Sequence, residues 1–95
     1  MSEDDRPAEQ AQELPAIDFA TFVLSLSHSA LVHLGDAPDP EGQRRMNLPL
    51  ARQTVDLLSL LQEKTKGNLN GPEERILSQA IYDLRLRYVE VSKAP

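Results

Sequence analysis

Between Asp18 and Asp36 the chain runs for 17 residues, FATFVLSLSHSALVHLG, without one charged side chain. Placed at about 100° per residue, Phe19, Phe22, Val23, Leu26, Ala30 and Leu34 share one side, with Leu24 and Leu31 widening it. Thr21, Ser25, His28 and Ser29 fall opposite. This is the pattern of a helix with a broad buried face. Asp18 makes a good N-cap, because its carboxylate can accept from the first free N–H groups. Gly35 suits the left-handed position that ends a helix. A second stripe, Leu50, Ala51, Val55, Leu57, Leu58 and Leu61, starts behind Leu48 and Pro49. Proline costs nothing in a first turn, and Asn47 can cap it. Lys64, Thr65, Lys66 and Gly67 close it, cations at the negative end of the dipole and then a glycine stop.

The third segment carries two stripes. Pro72, Glu73 and Glu74 mark its start. Leu77, Ile81, Leu84, Tyr88 and Val91 then follow at spacings of four and three, which aligns them in one seam. Tyr82, Leu86 and Val89 cluster about 120° to 180° away from that seam. One face can pack inside the hairpin of helices two and three; the other needs helix one or another chain. The short link from Asn68 to Gly71 makes helices two and three antiparallel neighbours, about 27 and 31 Å long at 1.5 Å per residue. The earlier connection, GDAPDPEGQRRMN, is thirteen residues long and has no periodicity. Its Asp36, Asp39 and Glu41 precede Arg44 and Arg45, so it could pair its own charges.

The expected architecture is therefore all-α: a three-helix domain over residues 17–92, with helices near 18–34, 48–66 and 72–92. Helices two and three form an antiparallel hairpin, and the whole assembles as a homo-oligomeric helical bundle. Residues 1–16 stand apart. They hold five acids against Arg6, a local −4 out of the chain's −5, with almost no large apolar side chains. Such a segment cannot offset its ordering entropy and is expected to be a disordered acidic tail.

Charge and composition narrow the function classes. Removing the tail leaves a near-neutral body, whereas a nucleic-acid binder needs a basic face to displace phosphate counterions. The acidic, polar start does not resemble a signal peptide, which points to the cytoplasm. The uncharged run is short for a span and polar on one side, so no membrane partner is expected. There is no cysteine, which removes thiolate catalysis and thiolate metal ligation.

Candidate chemistry is sparse. His28 and His33, the two histidines, are five apart and project about 140° from each other, so they cannot hold a metal as an i, i+4 pair does. His33 lies where an imidazole could satisfy the last helix carbonyls. Asp36, Asp39 and Glu41 lack the order of a calcium loop. Lys64-Thr65-Lys66-Gly67 closes a helix, whereas phosphate loops open one. Asp83 and Arg87, four apart in the favourable order, read as a helical ion pair. No catalytic, cofactor-binding or metal-binding residue is assigned, and no cofactor.

Taken together, DFATFVLSLSHSALVHLG, NLPLARQTVDLLSLLQEKTKGNL and ILSQAIYDLRLRYVEV resemble a small bacterial family catalogued as domain of unknown function 1844. The resemblance spans roughly residues 17 to 91. It implies a short helical protein without an assigned activity, and it marks His33, Gly35, Asn68 and Tyr88 as parts of a recurring pattern. It transfers no ligand and no catalytic residue.

A folded part of about 80 residues seldom draws more than about 3–5 kcal/mol from one core, and oligomerisation is a common remedy. The expected function is a non-enzymatic, self-associating interaction or scaffolding module. Its interface candidates are Phe19, Phe22, Leu26, Leu77, Ile81, Tyr82, Leu84, Leu86, Tyr88 and Val89. The expected partner is a second copy, or else another protein. The alternative is a small-ligand or membrane-surface module using helix one, with His28 and the serines facing a cavity or headgroups.

Overall fold

The computed structural model describes residues 17–93; the acidic segment 1–16 lies outside the described residues. Among the described residues three helices follow one another: α1 (Phe19–His33), α2 (Leu48–Lys64) and α3 (Gly71–Lys93). Among the described residues there is no strand, only an isolated antiparallel bridge between Leu34 and Met46. The fold is all-α, and each helix packs against both of the others.

Local chemistry fixes every helix start. The Asp18 carboxylate accepts from the Thr21 N–H at 2.8 Å, which holds its pKa below the ordinary value. Asn47 caps α2 by accepting from the Leu50 N–H at 3.2 Å. At α3 the cap is reciprocal. Asn70 Oδ1 accepts from the Glu73 N–H at 2.8 Å, and Glu73 Oε1 accepts from the Asn70 N–H at 2.9 Å. Two orphan donors are thus satisfied at once, and the helix starts at Gly71, ahead of Pro72.

The end of α1 is equally specific. Gly35 takes a φ of 83°. Its N–H donates to Val32 O at 3.0 Å while the Asp36 N–H donates to Leu31 O at 2.9 Å, the Schellman pairing. The Asn47 N–H then reaches back to His33 O at 2.7 Å. The last carbonyls are met by backbone N–H groups, so the His33 ring is not needed for the role its position suggested.

The core draws one face from each helix. Val23 and Ala30 of α1, Ala51, Val55 and Leu58 of α2, and Leu77, Ile81 and Leu84 of α3 are buried, with Leu34 closing the end of α1. Phe19, Leu26, Leu61, Tyr88 and Val91 pack partly buried around them. The seam read on helix three is thus the one that enters the core. Thr54, polar yet buried, donates its hydroxyl to Leu50 O at 3.0 Å. Among the described residues no buried side-chain polar atom lacks a partner.

Candidate interaction surface

With one face of α3 spent on the core, its other face stays in water. Tyr82 is 64 % exposed, Leu86 49 % and Val89 44 %. Helix one does not cover them. They line a shallow groove of about 380 Å³ with Ile81 and with Gln62 and Arg85 at its rim. Two hydrogen bonds hold that rim to α2: Arg85 donates to Ser59 Oγ at 2.7 Å, and Gln62 donates to Ser78 Oγ at 3.1 Å. Arg85 is therefore presented beside the apolar stripe.

The ten interface candidates divide by where the core needed them. Leu77, Ile81 and Leu84 are buried within the chain's own core and have no surface to offer. Phe19, Leu26 and Tyr88 are half-buried against that core. Phe22, Tyr82, Leu86 and Val89 remain exposed. Leu24, Leu57 and Leu60 are exposed as well, at 56, 47 and 49 %; the stripes of helices one and two contained Leu24 and Leu57 but not Leu60.

The other polar feature joins the long connection to α3. Arg87 Nε and a terminal nitrogen donate to the two oxygens of Asp36 at 2.7 and 2.9 Å. This bidentate contact, with the Arg87 charge beside it, holds the Asp36 carboxyl below the usual carboxylate range and raises the Arg87 guanidinium. Arg87 also donates to Glu90 at 3.2 Å. The expected Asp83–Arg87 pair does not form; Asp83 accepts instead from Gln79 at 2.8 Å. Arg87 is drawn to the half-buried Asp36, whose side chain is 27 % exposed, where two parallel bonds outweigh one solvated i, i+4 contact.

Within the connection, Asp39 Oδ1 accepts from the Glu41 and Gln43 N–H groups at 3.0 and 2.9 Å. Arg45 lies 3.5 Å from Asp39 and 3.3 Å from Glu41, so the segment does pair its own charges. Its other side faces α1. His28, Ser29, Val32 and His33 border a groove of about 470 Å³ together with Pro38 and Asp39. Among the described residues no three His, Asp or Glu side chains are placed to hold a metal ion. No helix among them is long and apolar enough to cross a membrane.

A family model described as "Domain of unknown function (DUF1844)" matches residues 16–90. That span takes in all of α1 and α2 and α3 up to Glu90. Neither the curated proteins nor the solved structures give a match.

Proposed function

We propose, for a chain that belongs to the DUF1844 family, the role of a non-enzymatic helical module that associates with a second copy of itself. The observation that carries this reading is the outward stripe of α3. Tyr82, Leu86 and Val89 stay open to water after the core has taken its share. A large apolar patch rimmed by polar groups is the ordinary mark of an interaction site. In this reading α2 and α3 form an antiparallel hairpin, supported by the rungs from Ser59 to Arg85 and from Gln62 to Ser78, which run in opposite senses along the two helices. The hairpin gives the stripe a rigid backing. Among the described residues, Asp36 and Glu90 are both engaged by Arg87, and Asp39 and Glu41 by Arg45.

Sedimentation equilibrium across a wide concentration range tests the reading. Growth of a dimer or higher species with concentration supports it, and a monomer throughout overturns it.

The groove against α1 favours a second reading, binding of a small ligand beside His28 and His33. Fragment screening by NMR, read on the two imidazoles, decides it. If no fragment shifts them, and anionic and neutral vesicles do not sediment the protein, this reading fails.

A further inference from the structure

We infer that the second copy packs on the outer face of α3 with the two helices parallel, Arg85 of each copy meeting Glu90 of the other. This rests on the self-association proposed above and adds its orientation.

The apolar stripe is the middle of a longer periodic seam. Arg75, Gln79, Tyr82, Leu86, Val89 and Lys93 follow one another at spacings of four, three, four, three and four, and all six are exposed. That is the repeat by which two helices pack along a shared seam. Leu77, Ile81, Leu84, Tyr88 and Val91 occupy the opposite side and are already committed to the domain. The seam can therefore be shared without disturbing the core. Arg75 and Lys93 place like charges at its two ends, which confines the packing to the layers between them and weakens the dimer.

The edges of the seam differ in charge, and that difference sets the direction. One edge carries Asp83 and Glu90; the other carries Ser78, Arg85 and Ser92. In a parallel pair each residue of one edge faces the residue five positions further along on the opposite edge of its partner. Arg85 then faces Glu90, and Ser78 faces Asp83, twice over by symmetry. In an antiparallel pair like edges meet, so the acids face acids and no ion pair forms across the seam. The needed groups are free to respond. Among the described residues Glu90 is held only by the 3.2 Å contact with Arg87, which keeps both of its bonds to Asp36. Arg85 uses one terminal nitrogen on Ser59, leaving its remaining donors open.

The chain has no cysteine of its own, so a single Gln79→Cys in the full protein reports the orientation. Parallel packing sets the two Gln79 positions against each other, and mild oxidation is expected to give a disulfide-linked dimer that Leu86→Asp in the same chain abolishes. Arg85→Glu should weaken the dimer about tenfold in sedimentation, and adding Glu90→Arg should restore it. A concentration-dependent dimer that does not cross-link at Gln79→Cys, but does between mixed Gln79→Cys and Val89→Cys chains, overturns the parallel arrangement while sparing self-association. A monomer at every concentration overturns both. Circular dichroism of each variant confirms that the fold is intact.

Discussion

Asp36 and Arg87, 51 residues apart, meet in a two-bond ion pair that ties the end of α1 to the last turns of α3. The Asp36 side chain is 27 % exposed and the Arg87 side chain 45 %. The fork geometry adds direction to the attraction and lifts the pair above an ordinary solvated contact. Arg87→Ala is expected to lower the melting temperature by about 2–6 °C. Arg87→Lys should recover little of this, because an ammonium cannot grip both oxygens. Calorimetry of the two variants checks the comparison.

The same pair sets a dependence on acid. Asp36 has a lowered pKa when folded, so it binds its proton less readily there than in the unfolded chain. Its contribution is complete above the unfolded value of 3.8 and is lost as pH falls from there through the depressed folded value. Asp36→Asn should therefore be less stable at neutral pH yet lose less on acidification. Asp18 is shifted in the same direction by its cap, so the acid slope should flatten in that variant without vanishing. Urea titrations at pH 3 and pH 7 measure it.

Core and stripe are expected to respond differently to truncation. Leu58 is fully buried, and Leu58→Ala should cost about 2–5 kcal/mol in unfolding free energy. Leu86→Ser, at a half-exposed position, should change the dilute monomer by no more than about 0.5 kcal/mol. Parallel denaturation curves at low concentration make the test. A large loss from Leu86→Ser would mean that the outer stripe supports the fold itself.

The reciprocal cap at α3 should behave as a unit. Asn70→Ala is expected to cost about 1 kcal/mol. Asn70→Ala combined with Glu73→Ala should cost less than the two single changes added, since losing either bond loosens the turn that aligns the other. A double-mutant cycle reads the coupling.

Gly35 is held by its backbone rather than by crowding. A Cβ there would sit 3.8 Å from Met46 Cβ, an ordinary contact, while the φ of 83° is strained for any L side chain. Gly35→Ala should then cost about 1–2 kcal/mol. Gly35→Asn should cost less, because asparagine tolerates that conformation better. Thermal melts rank the two.

What could be read in advance was what neighbours along the chain decide. Asp18, Asn47 and Gly35 act on groups within a few residues, and their roles follow from side-chain chemistry and spacing alone. The seam of Leu77, Ile81, Leu84, Tyr88 and Val91 was legible for the same reason. Asn70-x-x-Glu73 was equally local, yet Pro72 drew the helix start one residue too late. Periodicity separates two faces of α3 without saying which one the other helices take. Leu77 and Tyr82 therefore stood together as interface candidates until packing divided them. Arg87 was assigned to Asp83 because a local partner was in reach, and nothing in the linear order brings Asp36 beside it. The thirteen residues from Gly35 to Asn47 offered no period at all. Their shape comes from Asp39 gripping backbone groups and from the Leu34–Met46 bridge.

That long-distance tie has a consequence for synthesis on the ribosome. α1 emerges before α3, and the arginine that anchors its far end is made 51 residues after Asp36. Until then α1 lacks its closing contact and its uncharged run stays without a full complement of packing partners. Nascent chains stalled before Arg87 leaves the exit tunnel should accordingly be cut within α1 by added protease, and released chains should not.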